Sequence, residues 1–396
     1  MDAIRNPFAP GAGAPPPELV GRDSILKDVD IALRRAALGR PSQSYMMLGL
    51  RGTGKTVLLN QIVKTAETAA GLSVWSAKIE APEGGDLAKQ LYPKLTQVLR
   101  RLSAVEAAKA AAHAGMRALR SFAATLNLEY GGLSLSVDPE LGTADSGDLA
   151  MDLSDLFVAL GRSAKAAGGV FVLLIDEVQY LNLDELSALI TALHECAQKT
   201  LPVVFIGAGL PQVAGLAGDA KSYAERLFQY PPIGPLPEPE ARRALVDPIV
   251  EEGEAIEAPA LESIISVTKG YPYFLQEWGY HAWNISQNSP ISVRDAEQAS
   301  IAALKRLDNG FFKVRMDRLT ISERDYVYAM ASLPGDGPYR SGDIASVLGK
   351  KTNSLGPRRS SIIKKGMIYS PDHGDTAFTV PGFADYLRRT GYGTEE

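Results

Sequence analysis

The run Gly49-Leu50-Arg51-Gly52-Thr53-Gly54-Lys55-Thr56 satisfies G-x-x-x-x-G-K-[ST] at every fixed position. Its chemistry is phosphate binding. Glycines let the main chain wrap close to an anion, so that successive N–H groups point inward. A helix starting at Lys55 aims the positive end of its dipole at the same charge. Lys55 supplies a mobile cation for the terminal phosphates, and the Thr56 hydroxyl is a ligand for Mg²⁺. The apolar run from Ser44 to Leu50 reads as a buried strand, and a helical stretch to about Ala69 follows the loop. Strand, turn and helix are the context the motif requires. The spacing therefore predicts a P-loop that takes ATP with Mg²⁺, with Arg51 also in reach of phosphate.

About 120 residues later, Val172-Leu-Leu-Ile-Asp-Glu177 ends an apolar run in two carboxylates. The carboxyl end of a parallel strand is where open α/β sheets bind ligands. Asp176 is placed to hold Mg²⁺ through water. Glu177 is placed to orient the attacking water or to accept its proton. The pair points to hydrolysis rather than to binding alone. Phosphoryl transfer also needs charge stabilisation, often by an arginine given in trans. Arg226, in Tyr223-Ala-Glu-Arg-Leu-Phe228, is the candidate, although a surface arginine on an amphipathic helix fits that position equally well.

The elements around these residues alternate. Leu72 to Ile79, Gly169 to Ile175 and Leu201 to Ile206 read as strands. Helical patterns fill Arg22 to Ala37 (with Asp23 as the N-cap), much of Asp86 to Leu126, Ala150 to Ala167 and Leu183 to Gln198. The run through Gly169–Ile175 does not alternate, which suits a parallel strand covered on both faces. The expected class is α/β: a P-loop NTPase parallel sheet with helices on both faces. Leu128 to Val137, around Gly131-Gly132, reads as a hairpin within an insertion at about 126–146. After Pro231-Pro232 the pattern becomes helical, with helices expected over Pro259–Thr268, Tyr273–Ser286 and Ser292–Leu307. From about Thr320 a third unit begins. It has a helix to Leu333, a helix capped by Ser341, a basic helix over Leu355–Lys365 and two strands around Asp372–Asp375.

Composition narrows the options. The 396 residues suffice for two or three domains. At 45% hydrophobic and 22% charged, the chain has material for a core. A net charge of −5 argues against a nucleic-acid binder as a whole and leaves only a local patch for such a role. Cys196 is the one cysteine, which excludes an internal disulfide and a Cys-based zinc site and fits a reducing cytoplasm. The four histidines lack ligand spacing. The Pro/Gly-rich opening, 1–18, reads as an extended arm without a signal peptide's apolar region. No run approaches the ~18 apolar residues of a membrane span.

In sequence order these features resemble an AAA+ ATPase of the origin-recognition-like, archaeal-type (STAND-like) group. The resemblance rests on Leu19-Val-Gly-Arg22, the P-loop, Leu174-Ile-Asp-Glu177, Arg226 and Lys269-Gly-Tyr-Pro-Tyr-Phe-Leu-Gln276. The last unit resembles a winged helix. The resemblance implies an ATPase domain over 19–234, a helical lid over 235–318 and a winged-helix domain over 319–396. It also implies that Leu19, Val20 and Gly21 lie against the adenine, and that Gly270 and Pro272 open a lid helix over the nucleotide. ATP would be hydrolysed to ADP and phosphate as a conformational or assembly switch, in a homo-oligomer or with a partner protein. Two positions depart from the group. Phe205-Ile-Gly-Ala-Gly209 ends its strand without a polar sensor, and Tyr273 stands near the place of a second sensor, an arginine. Slow turnover, raised by assembly or a partner, is the expectation.

Lys350, Lys351, Arg358, Arg359, Lys364 and Lys365 lie together with no acid among them. From Thr320 onward ten Lys/Arg face nine Asp/Glu, so the unit nets only +1 and the charge is clustered. A basic helix after a helix-turn-helix pattern suits the major groove of double-stranded DNA. A structural or regulatory wing, as in a signalling ATPase of the STAND-like kind, fits the same residues. A small-molecule kinase has no evident use for the Asp-Glu pair or for the downstream units.

Overall fold

In a computed structural model, which describes residues 1–11, 16, 19–125, 139 and 142–391, β3 (Val170–Asp176) is buried along its whole length. Val170, Val172 and Leu174 join one apolar cluster with Leu33, Leu58 and Leu59. Phe171, Leu173 and Ile175 join another with Leu95, Leu119, Phe157 and Leu189. Both faces of this strand are therefore covered, which is why its sequence shows no polar alternation.

The chain divides into two compact units. The first comprises Arg22–Gly49 and Lys55–Ile233. In it β1 (Ser44–Leu48), β2 (Val74–Glu80), β3, β4 (Val203–Gly209) and β5 (Phe228–Gln229) form a parallel sheet in the order β2-β3-β4-β1-β5. Ile175 stands beside Ile79 on one side and Gly207 on the other. Helices α1 (Asp23–Ala37) and α2 (Lys55–Thr68) feed one cluster. Helices α3 (Leu87–Ser103), α4 (Lys109–Thr125), α5 (Leu149–Ala166) and α6 (Leu183–Gln198) feed the other. Two short helices, α7 (Val213–Ala220) and α8 (Ala224–Leu227), lead back to β5. Asp23 does not cap α1. Arg22 holds the cap position but its side chain makes no capping bond, and Asp23 lies inside the first turn, where its charge suits the helix dipole. The hairpin expected at Leu128–Val137 lies outside the described residues.

The second unit comprises Met1–Gly21, Leu50–Gly54 and Gly234–Glu396. It holds α9 (Glu238–Glu251), α10 (Ala258–Thr268), α11 (Pro272–Ile285), α12 (Val293–Leu307), α13 (Lys313–Asp317) and α14 (Ile321–Ser332). The order continues with β6 (Tyr339–Arg340), α15 (Ser341–Val347), α16 (Thr352–Lys364), β7 (Ile368–Tyr369), β8 (Asp375–Phe378) and α17 (Phe383–Thr390). The three strands form an antiparallel sheet, β6-β8-β7, and with their helices are winged-helix-like. One apolar cluster runs from Leu275 and Trp278 through Phe312 to Tyr326, Ile344 and Leu387, so the helical and winged parts share a core. Phe312 stacks on Tyr386 with ring centroids 5.2 Å apart. Residues 2–9 of the opening arm pack along α11. Phe8 is buried against Gly279, and the Trp283 indole donates to Asp2 O at 2.8 Å. Ser341 does not cap α15; its hydroxyl donates to Gly374 O at 2.8 Å.

Candidate nucleotide site

In the first unit the loop leaves β1 at Leu48 and enters α2 at Lys55. The Gly49 N–H donates to Gly209 O at 3.0 Å, which ties the start of the loop to the end of β4. The buried Lys55 side chain folds back, and its ammonium donates to Gly49 O at 2.9 Å. The Thr56 hydroxyl donates to Asp176 Oδ2 at 2.6 Å. Asp176 Oδ1 accepts the Glu177 N–H at 2.9 Å. A hydroxyl and a buried carboxylate side by side form a hard-oxygen pair, and such pairs suit Mg²⁺.

Glu177 is left-handed at φ 54°, ψ 41°, a conformation that costs a non-glycine residue of order 1–3 kcal/mol. It starts the single 3-10 turn Val178–Tyr180. Within that turn Gln179 Nε2 donates to Glu177 Oε2, and Gln179 Oε1 accepts the Leu210 N–H at 3.0 Å. Gln179 was not among the residues that the sequence singled out. Its only signal was a polar side chain two positions beyond the acid pair, opposite a strand ending in glycines. Arg226 is exposed on α8, and its carbonyl accepts a bond from Gln43 at 2.9 Å.

Within the second unit, Leu50–Gly54 form the tip of the loop. Gly52 and Gly54 have φ of +85° and +89°, the region glycine enters freely. Nothing lies within 4 Å of the point where a Gly54 side chain would begin. The Thr53 hydroxyl donates to Leu50 O at 2.9 Å. The Arg51 N–H donates to Thr379 O at 3.1 Å, the Tyr273 N–H donates to Gly52 O at 3.2 Å, and the Tyr271 hydroxyl donates to Arg51 O. Burial pushes the Tyr271 phenol well above its ordinary pKa, so it stays a donor.

Val20 is buried in one cluster with Leu236, while Leu19 is half-buried. Gly21, at φ +71°, passes so close to Leu236 that a β-carbon would lie 3.2 Å from its Cδ2. Gly270, at φ +70°, receives the Leu236 N–H at 2.8 Å, and Pro272 opens α11.

The six basic residues do not share one free face. Lys350, Lys351 and Lys364 are exposed, and Arg358 is half-buried. Arg359 donates to Thr376 Oγ1 at 2.9 Å and to Ser370 Oγ and Asp375 O at 2.7 Å each, which ties down the turn between β7 and β8. Lys365 donates to the buried Glu323 at 2.6 Å and to Arg318 O at 2.9 Å.

Residues 18–206 match the AAA ATPase domain family, and residues 309–387 match a domain of unknown function (DUF8462). The chain thus carries an AAA ATPase domain, which implies nucleotide binding, and both the P-loop and Asp176-Glu177 lie inside it. No curated protein matches the sequence. Among solved structures, the Walker-type ATPase PABY2304 of Pyrococcus abyssi is similar in fold, with 16% identity and a TM-score of 0.57 over 93% of this chain and 96% of its own. The Orc1 protein of Aeropyrum pernix in complex with DNA has 14% identity and a TM-score of 0.48 over 94% and 93%. The RuvB Holliday junction branch migration motor of Thermotoga maritima has 15% identity and a TM-score of 0.43 over 93% and 95%. At those scores the last two carry no argument. Among the described residues no helix is long and apolar enough to cross a membrane.

Proposed function

We propose that this chain binds ATP with Mg²⁺ and hydrolyses it to ADP and phosphate, as a switch rather than as a fast motor. The observation that carries the reading is the 2.6 Å bond between Thr56 and Asp176. It joins the end of the P-loop to the acid pair, which supports one site built from both. With nucleotide bound, the loop N–H groups and Lys55 hold the β- and γ-phosphates, and Lys55 gives up Gly49 O for phosphate oxygen. Thr56 and Asp176 would hold Mg²⁺, which would supply positive charge beside the phosphate oxygens. Glu177 takes a proton from the attacking water. The water oxygen bonds to the γ-phosphorus, the bond to the β–γ bridging oxygen breaks, and ADP leaves with that electron pair. Leu19, Val20 and Gly21 take the adenine, and α11, opened by Gly270 and Pro272, is the lid. The exposure of Arg226 supports its donation to a neighbouring copy.

A regulatory role for the winged part is favoured over a DNA-reading one. Thr379 O accepts from Arg51 in the loop tip, so a residue just beyond β8 meets the phosphate loop directly. Arg359 and Lys365, which a groove-reading helix would use, are bonded within their own unit. Lys350, Lys351 and Lys364 keep duplex DNA as a second reading because they are exposed. Phosphate release measured over a range of protein concentrations, with and without duplex DNA at stated salt, tests both. Turnover that rises with protein concentration and ignores DNA supports the regulatory switch. Salt-dependent stimulation by DNA supports the second reading.

A further inference from the structure

The sheet ends without a polar side chain where one is expected, since Gly207, Ala208 and Gly209 close β4. That space is filled from elsewhere in the same unit. Gln179 reaches it from the turn after Glu177, and its amide oxygen accepts the Leu210 N–H at 3.0 Å. A β-carbon on Gly209 would lie 2.9 Å from that oxygen and 2.7 Å from Val213 Cγ2. The glycine is what makes room for the amide. The other end of the amide donates to Glu177 Oε2. Gly209 in turn accepts the N–H of Gly49, the first residue of the P-loop. A continuous path runs from the Glu177 carboxylate through the Gln179 amide to the end of β4 and then to the start of the phosphate loop.

We propose that Gln179 is a positioning residue for hydrolysis: its amide holds the Glu177 carboxylate in register with the end of β4, in the place left by the missing strand-borne sensor. The amide suits this role because its carbonyl oxygen accepts while its NH₂ group donates. The acceptor is fixed by the main-chain N–H of Leu210, just beyond the end of β4, so the donor is aimed by the scaffold. Glu177, left-handed and outside the strand, needs such a tether because its own backbone does not fix its side chain. A displacement near 1 Å of a catalytic group costs about a hundredfold in rate. The proposal rests on the ATPase reading given above.

The test uses the full chain and four proteins: wild type, Gln179→Glu, Glu177→Gln and the double variant. Gln179→Glu keeps an oxygen acceptor for the Leu210 N–H but removes the donor and sets a like charge beside Glu177. Its expected effect is a fall in kcat of about tenfold to a hundredfold, with KM for ATP and thermal stability close to wild type. In the Glu177→Gln background, the same change is expected to cost less than about twofold in residual turnover, since the group it positions is gone. Wild-type kcat in Gln179→Glu, or an equal loss in both backgrounds, overturns the proposal while leaving the ATPase reading intact. Absence of ATP hydrolysis by the wild type, or undiminished turnover in Glu177→Gln, overturns the parent reading and this one with it. Gln179→Ala serves as a second variant. It is expected to lose rate as Gln179→Glu does, and wild-type kcat in it also counts against the proposal.

Discussion

The Thr56 hydroxyl and the Asp176 carboxylate meet at 2.6 Å although 120 positions separate them in the chain. Sheet order brings them together. β1, which leads into the loop, and β3, which ends in Asp176, both flank β4, so the two carboxyl ends stand one strand apart. A hydroxyl and a carboxylate side by side are oxygen ligands of the kind that Mg²⁺ takes.

Lys55→Ala is expected to weaken ATP binding by about a hundredfold, the scale of a lost charge-assisted bond to phosphate. The ammonium donates to Gly49 O within the loop, and the fold is expected to survive its replacement. Calorimetric titration with ATP checks it; unchanged affinity would remove the loop from the site.

Arg226→Ala is expected to lower turnover by about 10³-fold and to abolish its dependence on protein concentration. Steady-state assays across that range decide the point. A wild type whose turnover per subunit is flat with concentration would rule out donation in trans.

Glu323 makes stability depend on acid pH. Burial pushes its carboxyl up, but the Lys365 ammonium, the Ser361 hydroxyl and the Thr320 cap together hold it down to about 2. A folded pKa below the ordinary value means that the stabilisation is present in full above the unfolded pKa. It is lost as pH falls towards about 2. Urea unfolding between pH 3 and pH 6, a range of about three pH units, should show a steeper acid loss in the wild type than in Glu323→Gln. Parallel curves would mean that the Lys365 contact is not formed.

Gly270→Ala is expected to destabilise the second unit by about 2–4 kcal/mol. Its φ is +70°, and an added β-carbon would stand 2.3 Å from Leu236 O, a backbone atom with nowhere to go. Denaturant melts followed by tryptophan fluorescence report it through Trp278 and Trp283, both in the same cluster. A change under about 0.5 kcal/mol would contradict the close approach.

Much of the scaffold was legible because its signals are local. Burial on both faces left β3 without polar alternation, and the fixed glycines of the P-loop pattern announce the positive φ that Gly52 and Gly54 adopt. Pro272 at the first turn of α11 likewise announces its helix. What the sequence concealed depends on long-range partners. The basic cluster near Lys350–Lys365 reads as one surface, yet Arg359 and Lys365 turn inward to Thr376 and Glu323, on other elements. Gln179 carries no motif, and its meaning comes from the glycines of a strand about thirty residues away. The prolines of the opening announce an extended arm but not its partners: the Trp283 indole holds Asp2, and the missing side chain of Gly279 makes room for Phe8.

The most direct measurement is phosphate release by the full chain with Mg²⁺ and ATP, set beside Glu177→Gln together with the ATP affinity of both. Glu177→Gln is expected to bind ATP as the wild type does and to release phosphate about 10²–10⁴ times more slowly. Equal phosphate release by the two proteins, or no release by the wild type at any protein concentration, would contradict hydrolysis at Asp176 and Glu177.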